Sequence, residues 1–239
     1  MSFSQIQVII PVYNEADNIL NTLGELRDKV RAAYTVLIIY DFDGDSTLPV
    51  VKGYVAEQCC SNIRLIRNKY AGGVLNAIKT GFESCSDGVA LVVMADTSDD
   101  IGIIDAMLEK INQGYDLVCG SRYMKGGKQI GGPVLKKLMT RTAGVSLHVL
   151  TGIPTHDVSN SFKMYRVSLL RDIRVESTGG FEIGMEVLVK AFIGGYRIAE
   201  IPSVWRDRSA GKSRFHIRKW LPNYLHWYFY AFRRRSRPG

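Results

Sequence analysis

Short apolar segments of this chain are repeatedly followed by polar or charged side chains. Four such segments are followed, in chain order, by Tyr13, Asn14 and Glu15, by Asp41 and Asp43, by Asp96, Asp99 and Asp100, and by Arg122. A single Asp after a strand commonly caps the next helix, but acids that recur after several strands of one sheet indicate a shared ligand site. Carboxylate oxygens are hard ligands, which favours Mg²⁺ or Mn²⁺ over zinc. The sequence therefore predicts a site for a divalent cation and a ligand.

The common nucleotide and hydrolase motifs are absent from the sequence. No G-x-G-x-x-G pattern follows the first apolar segment and no G-x-S-x-G pattern occurs. Gly211-Lys212-Ser213 lacks the earlier glycine of a P-loop, because Arg206 stands at that position. The four histidines and four cysteines have no metal-ligand spacing, and the cysteines predict reduced thiols in a cytoplasmic protein. Phosphate groups would have to be held by cationic side chains and a metal ion.

The elements that must position these residues alternate between apolar strands and helices. In the first half the predicted strands are residues 6–12, 36–40, 63–66, 89–94 and 115–120, with helices between them. Strands joined through helices of this length form right-handed βαβ units, which predicts an α/β domain with a mostly parallel sheet and helices on both faces. In the second half, residues 125–132 contain four glycines and predict a mobile loop, and helices are expected near 133–150 and 181–192.

The excess positive charge of the chain lies in its last segment. The whole sequence has a net charge of +8, whereas the residues from Arg206 onward have ten Lys and Arg and one acid. Eight of the 24 aromatic residues lie between Phe215 and Phe232. We expect residues 1–214 to form one folded domain and residues 215–239 an amphipathic basic helix at an anionic membrane surface. Two alternatives are packing of these aromatics on the domain or on a second copy, and a nucleic-acid partner, which the acidic strand ends disfavour.

No apolar run is long enough to span a bilayer, and the first residues lack the basic and apolar pattern of a signal peptide. The expected location is therefore the cytoplasm, with peripheral attachment to the cytoplasmic face of a membrane.

Several segments resemble the family 2 glycosyltransferases of the GT-A fold, in particular the dolichol- and polyprenyl-phosphate mannosyltransferase-like members. The segments that carry the resemblance are VIIPVYNE at 8–15, VMAD at 93–96, DLVCGSRY at 116–123, and Glu200-Ile201-Pro202 followed by Arg208, Gly211, Ser213 and Arg214. Weaker matches are Asp157, residues 159–165 and Glu186. Together they cover roughly residues 6–214 in order, so the resemblance implies that residues 1–214 are the catalytic domain.

The resemblance implies a role for each matching residue. It places Pro11, Tyr13 and Glu15 in a nucleotide-sugar pocket, Asp41 and Asp43 near base and ribose, Asp96 on a metal ion that bridges the donor diphosphate, and Arg122, Lys136, Thr140, Arg208 and Ser213 on donor and acceptor phosphates. Asp96 and Arg208 would stabilise the leaving diphosphate, and Mg²⁺ or Mn²⁺ is the implied cofactor. Lys136 replaces an arginine and Thr140 a serine of the family pattern.

Two positions depart from the family pattern. Met94 stands where the Asp-x-Asp motif has its first Asp, so Asp99 or Asp100 would have to supply a second carboxylate to the metal. In the segment after the second strand, Phe42 separates two acids that are usually adjacent.

The implied reaction is inverting transfer of a sugar from a nucleoside diphosphate to a polyprenyl or dolichyl phosphate. A phosphate acceptor is already anionic at neutral pH and needs no general base. Transfer to a sugar hydroxyl of a growing glycan is the alternative, and it would need a base such as Glu182 or Asp157. A homologue that binds nucleotide sugars without catalysis is a further alternative.

Overall fold

The computed structural model describes residues 3–207 and 217–233, with side chains in the second range from Leu221 onward. The strands in these ranges are β1 (Gln5–Val12), β2 (Ala33–Tyr40), β3 (Ile63–Arg67), β4 (Val89–Val92), β5 (Leu117–Ser121), β6 (Lys128–Ile130), β7 (Lys163–Arg166), β8 (Ile198–Pro202) and β9 (Val204–Arg206). The helices are α1 (Ile19–Lys29), α2 (Thr47–Gln58), α3 (Val74–Ser84), α4 (Ile104–Asn112), α5 (Val134–Thr151), α6 (Val167–Asp172), α7 (Ile183–Ile193) and α8 (Ile217–Tyr230). A single 3₁₀ turn, Ile101–Ile103, precedes α4.

Seven strands form one sheet in the order β3-β2-β1-β4-β7-β5-β8. Only β7 runs antiparallel to its neighbours β4 and β5, so the prediction of a mostly parallel sheet is confirmed. In β1 and β2 the last residues, Val12 and Tyr40, lie opposite each other. The segments that follow these two strands therefore begin side by side at one edge of the sheet.

The glycine-rich segment after β5 is more ordered than predicted. Its residues Lys128–Ile130 form β6, which pairs in parallel with β9 as a separate two-stranded sheet. The prediction of a mobile loop over 125–132 is wrong at these three residues, because a pairing with a strand some 75 positions later leaves no local signal in the sequence.

Two apolar cores cover the faces of the sheet. On one face Ile6, Val8 and Ile10 pack with α1 and α4, and on the other Ile9 packs with α3. The alternation along β1 places successive side chains on opposite faces, and burying each of these aliphatic side chains contributes about 1.5–3 kcal/mol. Gly81 lets α3 approach closely, since a Cβ there would overlap the side chain of Ile9.

The last helix, α8, is part of this packing. Trp227 is only 3% exposed and joins the core beside α7 together with Ala231. The Trp227 indole Nε1 donates a hydrogen bond to Ser177 Oγ at 2.9 Å, and Lys190 Nζ lies 5.0 Å from the centre of the ring. The aromatic tail, predicted to form an interfacial appendage from residue 215, thus packs in part on the preceding domain. No helix in the described ranges is both long and apolar enough to cross a membrane.

Candidate functional site

A cavity of about 910 Å³ lies beyond the carboxyl ends of β1, β2, β4 and β5. One end is polar and is formed by residues that follow these strands. The other end is largely apolar and lies between α5 and α8. The polar end is lined by Pro11, Tyr13, Glu15, Asp41, Phe42, Asp96 and Arg122, and the apolar end by Met139, Ala143, Met185, Leu221, Tyr224, Leu225 and Tyr228. Most residues that the sequence predicted for the site thus lie on one cavity.

The segments after β1 and β2 are tied together by a buried carboxylate. Both Asp45 side-chain oxygens accept from the Asn14 backbone N–H at 3.1 Å, and one also accepts from Thr47 N at 2.8 Å. Asn14 Oδ1 in turn accepts from Ser46 N at 3.0 Å. Asn14 has φ 55°, a left-handed conformation that Asn tolerates better than most residues. Asn14 therefore shapes the turn that presents Tyr13 and Glu15, and α1 begins four residues after Glu15.

Aromatic rings form one wall of the polar end. The ring centres of Tyr13 and Phe42 lie 5.5 Å apart, and both residues line the cavity. Beside them, Glu15 Oε2 accepts a hydrogen bond from Asn18 Nδ2 at 2.9 Å, which orients the carboxylate. A wall of this kind can stack a planar base while the carboxylate accepts hydrogen bonds from a base or sugar.

The two acids after β2 lie in different environments. Asp41 lines the cavity and accepts hydrogen bonds from Asn68 Nδ2 and Gly73 N, both at 2.8 Å, which fix the segment that leads into α3. Asp43 lies outside the cavity lining, with its side chain 70% exposed, and pairs with Arg67 at 3.0 Å. The structure therefore brings Asp41 into the site and leaves Asp43 on the surface.

Asp96 follows β4 in a strained turn. It is 7% exposed, lines the cavity, and its Oδ1 accepts from Ser98 N at 3.2 Å. The next residue, Thr97, has φ 58°, a conformation that is costly for a β-branched side chain. Thr97 Oγ1 donates to the Asp96 carbonyl at 2.7 Å and helps to hold the turn. The strain is located where a carboxylate must face the cavity.

The carboxylates offered as a second metal ligand are engaged elsewhere. Asp99 Oδ2 accepts from the Met94 backbone N–H at 2.9 Å, and Asp100 Oδ2 accepts from Val204 N at 3.0 Å. Burial raises the pKa of Asp99 to about 7, and neither acid lines the cavity. Asp99 therefore holds the backbone just before Asp96, and Asp100 holds the start of β9.

Few side chains among the described residues are placed to ligate a metal ion. Within them, no group of three His, Cys, Asp or Glu side chains is arranged to hold a metal ion. Asp96 provides a hard oxygen ligand at the cavity, which fits Mg²⁺ or Mn²⁺ if the phosphate oxygens of a bound diphosphate complete the coordination.

Arg122 is fixed by a buried ion pair. Its Nε and Nη2 donate to Asp157 Oδ2 at 2.6 Å and Oδ1 at 2.8 Å, and Nη2 also donates to Ser159 Oγ at 3.0 Å. Burial acts to raise the pKa of Asp157, but the charge and hydrogen bonds of Arg122 hold that pKa below its ordinary value. Burial would likewise lower the pKa of Arg122, and the Asp157 carboxylate raises it instead. The site thus contains a guanidinium that stays charged and cannot rotate freely.

The remaining predicted phosphate ligands lie on α5 or beyond β9. Lys136 and Thr140 both line the cavity from α5. Thr140 Oγ1 lies 2.9 Å from the Lys136 carbonyl and 2.6 Å from Tyr123 OH, so its hydroxyl already has partners in the protein. Arg208 and Ser213 lie outside the described residues.

Sequence reasoning missed the wall that α8 contributes. Leu221, Tyr224, Leu225 and Tyr228 line the cavity at spacings of three and four, which place them on one helix face. Tyr228 OH lies 2.9 Å from Ser146 Oγ of α5 and joins the two walls. The helical spacing was visible in the sequence, but the partner helix was not.

Glu182 and Asp157, the two residues predicted as candidate general bases, already have hydrogen-bond or ion-pair partners in the protein. Glu182 accepts from Gly179 N at 2.8 Å, Gly180 N at 2.7 Å and Asn223 Nδ2 at 3.2 Å. Asp157 is the partner of Arg122 described above. The pKa of Asp157 is lowered by the charge and hydrogen bonds of Arg122, whereas a general base near neutral pH needs a raised one.

Solved structures with this architecture include glucosyl-3-phosphoglycerate synthase from Mycobacterium tuberculosis. Its complex with uridine diphosphate aligns with a TM-score of 0.70 and 15% identity, covering 95% of this chain and 80% of that one. Its complex with Mn²⁺, uridine diphosphate and glucosyl-3-phosphoglycerate aligns with a TM-score of 0.65 over 95% of this chain and 76% of that one. The likeness defines the class of fold, which is the GT-A fold of glycosyltransferases.

The sequence comparisons assign the chain to a family within this class. The family described as glycosyl transferase family 2 matches residues 7–174, and the chain belongs to it. Undecaprenyl-phosphate mannosyltransferase of Micrococcus luteus is 29% identical over 88% of this chain and 87% of that protein. Polyprenol monophosphomannose synthase of Mycolicibacterium smegmatis is 24% identical over 87% of this chain and 79% of that protein.

Dolichol-phosphate mannosyltransferase of Pyrococcus furiosus is 28% identical over 88% of this chain, which spans 59% of the length of that relative. The family, the GT-A fold and the glycosyltransferase class predicted from the sequence are confirmed.

Proposed function

We propose that this glycosyltransferase moves a sugar from a nucleoside diphosphate to a polyprenyl or dolichyl phosphate, with inversion at the anomeric carbon. The observation that carries the proposal is the single cavity with two unlike ends. Carboxylates and aromatic rings line one end, and two helices with apolar side chains line the other. A nucleotide sugar matches the first end and a lipid phosphate matches the second. The names of the three relatives, each of which refers to a polyprenyl- or dolichyl-phosphate mannose reaction, support this assignment.

The donor is assigned to the polar end. Tyr13 and Phe42 would stack on the base, while Glu15 and Asp41 would accept hydrogen bonds from base or ribose. Asp96 would hold Mg²⁺ or Mn²⁺ together with the donor diphosphate. When bound, the cation neutralises the negative charge that develops on the leaving diphosphate. The Mn²⁺ and uridine diphosphate in the solved structure with the same fold are consistent with this placement.

The acceptor phosphate is assigned to the region between Arg122 and Lys136. The guanidinium of Arg122 is held by Asp157, so it can orient a phosphate without losing conformational freedom on binding. The acceptor oxygen is anionic at neutral pH and attacks the anomeric carbon on the side opposite the leaving diphosphate. The new bond joins that carbon to the acceptor phosphate oxygen, the bond to the donor diphosphate breaks, and a single displacement inverts the centre.

No general base is required for a phosphate acceptor, whereas a sugar hydroxyl must lose a proton. The oxygens of Glu182 are occupied by backbone hydrogen bonds and those of Asp157 by the ion pair with Arg122, so neither carboxylate is placed to take a proton from an acceptor. These contacts favour the lipid phosphate over the hydroxyl of a growing glycan as the acceptor.

The enzyme would work at a membrane surface, because a polyprenyl phosphate resides in a bilayer. We place it on the cytoplasmic face. The four cysteines are free thiols, including the exposed Cys59, which supports a reducing compartment.

A transfer assay with a panel of nucleotide sugars tests the proposal. Each radiolabelled donor is incubated with a polyprenyl phosphate and Mn²⁺ or Mg²⁺, and the label is counted after extraction into organic solvent. One donor should give an acid-labile lipid product with inverted anomeric configuration by NMR, and EDTA should prevent its formation. Transfer to a soluble glycan but never to the lipid would contradict the proposal.

A further inference from the structure

Three polar side chains lie in a row across three neighbouring strands of the main sheet. Cys119 of β5 pairs with Lys163 of β7 on one side and with Glu200 of β8 on the other. Paired residues of neighbouring strands present their side chains on the same face of a sheet. We call these three residues the polar row. A lysine and a glutamate thus flank a cysteine that belongs to one of the two apolar cores.

The lysine of the polar row is completely buried. Lysine side chains rarely occupy such positions unless partners compensate their charge. Lys163 Nζ donates to the backbone carbonyl of Val158 at 3.3 Å and to that of Asn160. Both carbonyls belong to the segment that joins α5 to β7. Because a buried ammonium without acceptors is costly, these hydrogen bonds fix the end of that segment to the sheet.

The glutamate of the polar row holds the start of the same segment. Glu200 Oε2 accepts from the His156 backbone N–H at 2.8 Å and from Thr155 Oγ1 at 3.1 Å, and Oε1 lies 2.6 Å from His156 Nδ1. The Glu200 side chain is only 12% exposed, so water competes little for these contacts. The acid therefore binds donors at the start of the segment, and the cation binds acceptors at its end.

The residues between these two anchors orient Arg122. Its guanidinium donates to the side chains of Asp157 and Ser159, which both lie in the anchored segment. Asp157 N in turn donates to Thr155 Oγ1 at 3.1 Å, the hydroxyl that the polar row already holds. Residues 158–161 all line the cavity. The anchors thus lie one step behind the cavity wall and behind the partners of its fixed guanidinium.

Helix α5 also packs against the anchored segment. At Gly144 a Cβ atom would overlap the backbone carbonyl of His156, so only glycine allows the helix to lie this close. The segment therefore contacts both the polar row and a helix. In an interior packed to the usual density, this restricts the path that the backbone can take.

We propose that Lys163 and Glu200 are positioning residues for sugar transfer, which fix the segment 155–160 and thereby set the direction in which Arg122 presents its guanidinium to the acceptor phosphate. The inference rests on the proposed function, because it takes Arg122 as the ligand of that phosphate. Neither Lys163 nor Glu200 lines the cavity, so both act through Asp157 and not by touching a substrate. Their loss should therefore weaken the use of the acceptor and spare the donor.

The variants Lys163→Met and Glu200→Gln of the full chain test this arrangement. Each keeps about the size of the side chain but removes its charge and weakens its hydrogen bonds to the segment. Tyr165→Phe is the matched control, because Tyr165 is a buried polar residue on the same face of β7 whose ring packs on Phe82. Thermal unfolding midpoints show that each variant is folded. If Lys163→Met does not fold, Glu200→Gln decides the test, since it keeps the shape of the side chain and one acceptor oxygen.

Transfer to a short, water-soluble prenyl phosphate gives the Michaelis constants of both substrates. We expect each variant to raise the acceptor KM about tenfold and to leave the donor KM unchanged, because a guanidinium that is no longer held in place must be ordered when the phosphate binds. Tyr165→Phe should change neither constant. An unchanged acceptor KM in the folded variants, or an equal rise of both constants, would overturn the inference.

An NMR signal of Arg122 separates this inference from the proposed function. The Nε–H that donates to Asp157 should give a distinct resonance in ¹⁵N-labelled protein, assigned by its loss in Arg122→Lys. The resonance should shift in Lys163→Met and Glu200→Gln but not in Tyr165→Phe.

The two readouts together give distinct outcomes. If the Arg122 resonance responds as expected but no prenyl phosphate accepts sugar, the proposed function fails while the positioning role remains. If a prenyl phosphate accepts sugar but the resonance is the same in the wild type and in the variants of Lys163 and Glu200, the positioning role is wrong.

Discussion

The two ends of the cavity are built in different ways. At the polar end, the functional side chains follow β1, β2 and β4 within a few residues, and local hydrogen bonds such as those of Asp45 and Asp99 hold the turns. At the apolar end, the lining comes from α5 and α8, which are about 80 residues apart in the sequence and meet only by packing.

The difference matches what each proposed substrate would require of its end of the cavity. The end proposed for the donor would have to place a few polar atoms accurately, and short strained turns such as that at Thr97 can do so. The end proposed for the acceptor would have to offer apolar area and a fixed positive charge, and the cavity is lined there by side chains of α5 and α8 and by Arg122, which Asp157 holds in place. The first kind of site depends on single atoms, and the second on the packing of whole helices.

Loss of the carboxylate that is proposed to hold the cation should have the largest effect. Asp96→Asn should reduce the rate of transfer by about 10³-fold or more, since it removes stabilisation of the leaving group worth several kcal/mol. Asp43→Asn is the matched control, because Asp43 is exposed and outside the cavity. Steady-state kinetics of both variants would check this. A transfer rate close to that of the wild type in Asp96→Asn would contradict the proposed role of Asp96, and a similar loss in both variants would show that Asp43 also belongs to the site.

A substitution on the buried face of α8 should lower the stability of the protein. Trp227→Ala should lower the free energy of unfolding by about 3–5 kcal/mol, because a large buried side chain is removed from the core. Phe229→Ala on the exposed face of α8 should change it by less than about 1 kcal/mol. Urea denaturation of the two variants tests whether α8 belongs to the domain, and equal stabilities would show that it does not.

The ion pair between the two ends should give a pH-dependent effect. Asp157→Asn should lower the free energy of unfolding by about 2–3 kcal/mol at pH 7, because Arg122 keeps its burial and loses its counter-charge. The folded-state pKa of Asp157 is depressed below its ordinary value of 3.8, so its contribution is present above about pH 4 and is lost as the pH falls through the folded-state pKa. The stability difference between wild type and variant should therefore shrink below pH 4. A difference that is constant from pH 7 to the acid limit would show that the carboxylate charge is not responsible.

Thr140→Val should have the smallest effect. The Thr140 hydroxyl already has partners in the Lys136 carbonyl and Tyr123, so its removal should raise KM for the acceptor only about two- to fivefold, as expected for one neutral hydrogen bond. Donor KM should not change. A hundredfold loss of kcat would instead place the hydroxyl on a reacting phosphate.

The sequence was sufficient to predict which residues line the polar end of the cavity, but it did not predict the wall that α8 contributes to the apolar end. Apolar strands followed by acids specify which side chains reach the sheet edge, so Glu15, Asp41, Asp96 and Arg122 could be named in advance. Asp43 could not be separated from Asp41, because the turn after β2 points Phe42 inward and Asp43 outward, and the turn geometry depends on contacts with Asn14 and Asn68.

The packing of the tail helix depends on contacts that are distant in the sequence. The spacing of its aromatic residues predicted a helix, and α8 is a helix. Which face of that helix would be buried depends on contacts of Trp227 with Ser177 and of Asn223 with Glu182, from a part of the chain about 45 residues earlier. Such contacts have no local signature, and for the same reason the pairing of β6 with β9 was missed.

The most direct test of the two-ended cavity is a comparison of Michaelis constants in Glu15→Gln and Lys136→Met. Transfer is measured while the nucleotide sugar and a short prenyl phosphate are varied independently. If the donor occupies the polar end and the acceptor the end beside α5, Glu15→Gln should raise only the donor KM and Lys136→Met only the acceptor KM, each by about tenfold for a lost charged hydrogen bond. If both substitutions raise the donor KM and leave the acceptor KM unchanged, the cavity does not have separate donor and acceptor ends.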